Sequence, residues 1–437
     1  MSIEVPQYEA PSAPASGRTL IFANPSGNIC TKDASGDVRI YQPTPLESES
    51  MIYGVRWDSV NDVMQPGVVV NGSFLATDYA NFPIQEQCGR GLLTTAGAWT
   101  KLHPRDSAKF VDGSTATIDG SAGQVMVQIP RFYQVIKRAG DYVYFLVSSM
   151  PFIYDGVSAW VPLGFRDQAF RYCGAFQGVS ATDALEAKVI SAVKDTSAFV
   201  TNIYPNPFTN RNRAQFRTQI ADGVFHQFDW GLQEILNILF LTKYKTWNSQ
   251  AVLPGHTEGG AWDYAKAKAS GLTLALGDFD GSIWDASVSG YVANNFLGIE
   301  NIFGGVWHFI DGINIDNRTD PLGECRVWVN YDPDTFADDT TDNYTDSGHA
   351  PAFGSTSNYI EDILGSGKYC PFYPSVISST ATSSTYITDY HWNSTGAWRV
   401  ARGGGALLDG ARAGFAALHV HVSSASATPA IGARPSA

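Results

Sequence analysis

The chain has 437 residues, 44% of them hydrophobic and 13% aromatic, which is ample for a large buried core and for two or three domains. A formal net charge of -13 and the lack of any Lys/Arg run exclude the electrostatic footprint of a nucleic-acid or anionic-membrane binder. Only 16% of residues are charged, so the surface is expected to be neutral polar loops between short strands.

In chain order, the N-terminus "MSIEVPQYEAPSAPASG" has neither a basic n-region nor an apolar h-region, so no signal peptide is expected. Residues 10–17 form a Pro/Ala/Ser tether. Beyond it, "RTLIFANPSGNICTKDASGDVRIYQP" alternates apolar stretches with turn signals and predicts a small β-meander, one that gains stability by docking or by trimerising around an axis. We assign residues 1–48 to this unit and 49–437 to a main domain. There "YGVRWD" (Tyr53 to Asp58), "QVMVQIPRFYQVI" (Gln124 to Ile136) and "DYVYFLVSS" (Asp141 to Ser149) read as strands. A second-rank helix is expected around Ala181 to Val193. The clear helix is Phe228 to Gln250, where Leu232, Ile235, Leu236, Leu239 and Phe240 form a stripe to bury against a sheet. Its run Ile235 to Leu241 is too short to span a membrane. Gly-rich loops follow, then an acidic insertion, Asn330 to His349, read as a solvated loop.

Candidate chemistry is sparse. Asp278 and Asp280 in "DFDGS" lack the spacing of a calcium loop, and His419 and His421 share a strand face without a third ligand nearby, so no metal is expected. Cys30, Cys88, Cys173, Cys325 and Cys370 are scattered and odd in number, which predicts reduced, mostly buried thiols. No GxSxG or phosphate loop is present, so neither a cofactor nor catalysis is expected. Trp57, Trp230, Trp247, Trp307, Trp392 and Trp398 read as core residues. After Arg402 the sequence uses no Lys, Glu, Gln, Met, Trp, Tyr or Asn, although the preceding chain uses them all.

The ordered set "YGVRWD", "GQVMVQIPRFY", "LTKYKTWNSQ", "GIENIFGGVWHFIDGINI", "SSTYITDYHW", "AWRVA…GG" and "IGARPSA" resembles a family of phage and prophage tail-fibre proteins, from about Tyr53 to Ala437. Members end in a C-type-lectin-like domain diversified by retroelements. The resemblance implies an α+β fold of the C-type-lectin-like (formylglycine-generating-enzyme-like) type behind the small all-β unit, with a variable ligand-binding segment at 399–437. In that family the altered positions cannot become Lys, Glu, Gln, Met or Trp, the same restriction that follows Arg402 here.

Strand alternation is expected to show Ala417, His419 and His421 to solvent while Leu418 and Val420 face the core. The implied variable face is Leu408, Asp409, Arg412, Ala417, His419, His421, Val422, Ser426, Thr428 and Ala430. Its implied scaffold is Trp398, Gly404, Gly405, Gly410, Gly414, Ile431, Gly432 and Arg434, with the glycines supplying positive φ and close backbone approach. The implied function is a virion-borne receptor-binding protein, made in the host cytoplasm, a homotrimer joined to other tail proteins through the N-terminal unit. Its partner would be a bacterial surface protein or glycan. Two alternatives stand beside this: a formylglycine-generating-type enzyme, which needs a reactive cysteine pair near the domain end, and a structural tail or adhesin module with no ligand of its own.

Overall fold

The computed structural model describes residues 52–181, 188–193, 211–259, 270–284, 292–318, 325–428 and 430–437, and the backbone alone of 20–23, 29–32 and 38–40. The tether, the side chain of Cys30 and Pro429 lie outside the described residues. Strands dominate over helices, so the mixed α+β class holds at that level. The expected meander is present as the antiparallel strands Leu20–Ala23, Ile29–Lys32 and Val38–Ile40.

Three larger sheets carry the main body. A five-stranded antiparallel sheet is built on Tyr53–Asp58, flanked by Tyr142–Ser148 and Val63–Val70. A seven-stranded sheet is built on Gln124–Pro130 between Gly89–Leu93 and Phe170–Gly174. The predicted single strand from Gln124 to Ile136 therefore breaks at Pro130, and its second half, Tyr133–Ala139, joins the five-stranded sheet. Proline lacks the N–H needed to continue a ladder, so the chain can change sheets there. The third sheet, nine-stranded, centres on Trp307–Asp316, Trp398–Gly403, Leu418–Val420 and Ile387–Asn393.

Helix α1 spans Arg213–Ile220 and helix α2 spans Trp230–Tyr244. Asp229 starts α2: its backbone is extended and its carboxylate accepts the Leu232 N–H at 2.9 Å. Lys245, left-handed at φ 58°, ends it. The predicted Leu/Ile stripe is buried, but so is every residue from Trp230 to Thr242. A helix enclosed on all sides lies at the centre of a protein, and α2 packs against Tyr53–Asp58, Tyr142–Ser148 and Trp307–Asp316. Its polar side chains are satisfied internally: Glu234 accepts from the Trp230 indole at 2.8 Å, and Gln233 donates to Asn237 at 3.0 Å. At Gly231 a Cβ would sit 2.6 Å from Gly164 Cα, so glycine permits the close approach of the helix to that loop.

Two expectations are corrected. The helix expected over Ala181 to Val193 does not form at its ends: Val179–Ser180 pairs antiparallel with Val189–Ile190, and residues 182–187 lie outside the described residues. Val189 is buried in an apolar cluster with Phe216 of α1, a contact that suits a β-branched residue in a strand. The acidic insertion is not simply solvated. Asp338 receives Arg213 Nε at 2.8 Å and Arg217 Nη2 at 2.6 Å, while Phe336 and Tyr344 are buried beneath it. Opposite, a register shift in Trp307–Asp316 between Ile310 and Asn314 turns Asp311 toward Arg217, which it binds through both carboxylate oxygens at 2.6 and 2.9 Å.

Because Leu236 is fully buried on a helix with no solvent side, Leu236→Asp would strand an unpaired charge. The expected loss exceeds about 4 kcal/mol and should abolish soluble folding. Soluble yield and urea unfolding check this; a soluble variant of parental stability would contradict the central position of α2.

Candidate functional site

The last segment is woven into the body. Trp398–Gly403 pairs antiparallel with Trp307–Asp316 and with Leu418–Val420, and Leu418–Val420 pairs in parallel with Ile387–Asn393. Ile431–Gly432 runs parallel to the start of Trp307–Asp316. Pro435–Ser436 then crosses to the seven-stranded sheet, between His226–Gln227 and Phe170–Gly174.

Alternation along Leu418–Val420 is as expected, yet neither side is solvent. Leu418 and Val420 enter the large core with α2, whereas Ala417, 2% exposed, joins a second cluster with Trp307, Val400, Ala406 and Ile431. His419 is only 8% exposed. Its ring stacks on Trp392 at 5.4 Å and meets Trp307 edge-on at 5.3 Å, and Arg402 Nη2 lies 2.8 Å from its Nε2. Arginine only donates, so Nε2 carries the lone pair; burial and the neighbouring Arg402 hold this imidazole well below its ordinary value and neutral. Ala417 and His419 are therefore packing residues, a correction to the expected display face: the side expected to meet solvent is covered by Trp307, Trp392, Val400 and Ile431.

The other expected display positions do reach solvent. Arg412, His421 and Thr428 are exposed; Leu408, Asp409, Val422, Ser426 and Ala430 are partly so. Arg412 borders, and His421 ends, a strip of rings that runs Tyr359, Tyr390, Trp392, His419, His421, with successive centroids 5.1, 4.6, 5.4 and 5.7 Å apart. The Arg412 guanidinium lies 5.0 Å from the Tyr390 centroid and that of Arg402 5.1 Å from Trp307. Tyr359, Tyr390, Trp392 and Arg402 were not singled out as site residues from sequence. The alternation in "TDYHWN" was the available signal, since it sets Tyr390 and Trp392 on one side and Asp389, His391 and Asn393 on the other. Asp409 serves partly as a brace, accepting the Ala406 N–H at 2.7 Å.

The path of the loop is set from behind. Gly404, Gly405 and Gly410 have φ of 87°, 75° and 56°, and a Cβ on Gly405 would lie 2.4 Å from that of Ala413. Gly414 is different: its φ is not positive, and its constraint is Asp389, whose Oδ1 would be 2.0 Å from an added Cβ. Asp389, 1% exposed, accepts the Ala416 N–H at 2.7 Å, and Gln250 Nε2 donates to the Gly410 carbonyl at 3.0 Å. Gly432 is a weaker constraint, with Val306 Cγ2 3.2 Å from an added Cβ. Ile431 is buried, and the fully buried Arg434 donates to the carbonyls of Gly174, Glu300 and Asn301 at 2.7, 2.8 and 2.9 Å. Trp398 is partly exposed, under the Arg318 guanidinium, so it is not the core residue expected. Trp392 is likewise only partly buried, whereas Trp57, Trp230, Trp247 and Trp307 are core.

The carboxylates considered for calcium are engaged by protein donors: Asp278 accepts the Arg90 N–H at 2.7 Å, and Asp280 binds Tyr244 Oη at 2.7 Å and Lys243 Nζ at 2.8 Å. Cys88, Cys173, Cys325 and Cys370 are buried and unpaired, and burial pushes each thiol up, Cys173 and Cys325 to about 12. No family model matches the chain, and no curated protein matches it.

Burial raises the Asp389 carboxyl to about 8. A carboxyl raised on folding contributes stability that is full below its ordinary value of 3.8 and is lost as pH rises through about 8. Buried His308 and His391, lowered to about 3, act oppositely and only below their ordinary 6.5. Between pH 6.5 and 8 the acid limb is thus isolated from these histidines. Asp389→Asn mimics the protonated carboxyl and should reduce the fall in melting temperature across that window. An equal fall in parent and variant would contradict the assignment.

Proposed function

We propose that the protein is a receptor-binding protein of a phage tail fibre, whose C-type-lectin-like domain contacts a bacterial surface protein or glycan through the face around Tyr390, Trp392 and His421. The observation that carries this reading is a separation of labour within one segment. The residues after Arg402, drawn from the restricted set, expose Arg412, His421 and Thr428 and leave Leu408, Val422 and Ser426 partly exposed, while Asp389, Gln250, Arg434 and the glycines fix the backbone. Side chains of this kind can change without disturbing the fold, which suits a partner that changes. Partly exposed aromatic rings beside arginines supply rigid contact area at small entropic cost. In this reading the N-terminal meander joins the chain to other tail proteins as a homotrimer, and several copies raise a modest single-site affinity.

The enzymatic alternative needs a reactive cysteine pair near the domain end. Cys325 and Cys370 are both buried with raised thiols, which favours the non-catalytic reading.

The test replaces the exposed Arg412, His421 and Thr428 together with Asn, Tyr or Ser. Stability should stay within about 1 kcal/mol, because exposed positions away from caps and cores cost little. Adsorption to host cells should be lost or redirected, since a few central contacts carry about 2 kcal/mol or more each. Unchanged adsorption would overturn the assignment.

A further inference from the structure

Trp392, Leu408 and Val422 rest on the buried cluster of Trp307, Val400 and Ile431, and each keeps part of its surface in solvent. Trp392 meets Trp307 edge-on at 5.1 Å, and the Val422 carbonyl accepts the Val400 N–H at 3.1 Å. At the edge of this apolar group stand the exposed Arg412, 5.0 Å from the Tyr390 centroid, and the exposed His421, 5.7 Å from the His419 ring. An apolar centre with a large aromatic ring, bounded by arginine and other polar side chains, has the composition of a protein–protein contact.

The groups that would hold a sugar are absent or already engaged. Neighbouring hydroxyls are held best by side-chain amides and carboxylates, which offer paired hydrogen-bonding atoms. Residues 403–437 contain no Asn, Gln or Glu. Their one acidic side chain, Asp409, accepts the Ala406 N–H at 2.7 Å. Gln250, next to the loop, donates to the carbonyls of Gly410 and Ala413 at 3.0 and 2.5 Å, and Tyr390 Oη donates to the Ser357 carbonyl at 2.8 Å. A pyranose also needs an open ring face. Trp392 stacks one face on His419, with the planes 21° apart, and Tyr390 carries Arg412. The formal net charge of -13 opposes an anionic polysaccharide as well.

We infer that the receptor is a protein, with an apolar patch that covers Trp392, Leu408 and Val422 and a carboxylate that pairs with Arg412. The inference rests on the receptor-binding reading and narrows it to one class of partner. Tyr390 and Trp392 precede the restricted segment, so the centre of the contact includes a ring that stays in place when that segment changes.

Adsorption of the full chain to intact host cells tests this, with the cells untreated, treated with proteinase K that is then inhibited and washed away, or treated with periodate, which cleaves the vicinal diols of sugars. Protease should lower adsorption by about tenfold or more, and periodate should leave it unchanged. Adsorption that survives protease, or that periodate removes, would overturn the protein assignment while the receptor-binding reading stands. No adsorption to untreated cells would overturn both. Trp392→Leu, which keeps an apolar side chain against Trp307, should weaken adsorption by about tenfold or more, as for a central aromatic contact. Val422→Ser should weaken it at little cost in melting temperature, which covers the case of a Trp392 variant that misfolds. Undiminished adsorption by either folded variant would overturn the placement of the contact.

Discussion

Leu418–Val420 is held between two strands, antiparallel to Trp398–Gly403 and parallel to Ile387–Asn393, and the rest of the terminal segment follows from that position. A strand paired on both edges has its backbone groups satisfied by the ladder, and its side chains must enter whatever covers each face. One face meets α2. The other meets Trp307, Val400 and Ile431, so display falls to the loops before and after the strand and to the rings of neighbouring strands.

Buried arginines tie these layers together where four unpaired cysteines provide no crosslink. Arg434 holds the chain end against Gly174 and the Glu300–Asn301 turn. Arg213 donates to the carbonyls of Ile310 and Ile313, on both sides of the irregular step in the central strand. Arg90 reaches Gly298, Ser107, Thr273 and Asn295. Each guanidinium brings several donors in a fixed plane and so joins segments far apart in sequence, at a desolvation cost that its carbonyl and amide partners offset.

Patterns local in the chain were legible in the sequence. The α2 stripe, the strand at Tyr53–Asp58, the meander and the burial of the thiols all follow from periodicity, turn residues or spacing. What failed depended on neighbours distant in sequence. Nothing near His419 announces that Trp307 and Trp392 will enclose it. Nothing in the acidic insertion shows that Arg213 and Arg217, more than a hundred residues earlier, await Asp338. Of the two constraints expected of the glycines, Gly414 meets close approach and not positive φ, because its steric partner is Asp389 on another strand.

The central claim is that the displayed side chains leave the backbone beneath them unchanged. Amide hydrogen exchange resolves this directly at Ala416, whose N–H binds Asp389, and at Gly404, whose N–H binds the Ala417 carbonyl. With the exposed Arg412, His421 and Thr428 replaced together, both amides should keep the protection of the parent. Exchange at either site accelerating to the rate of an open loop would show that the displayed residues hold the fold, and would contradict the account.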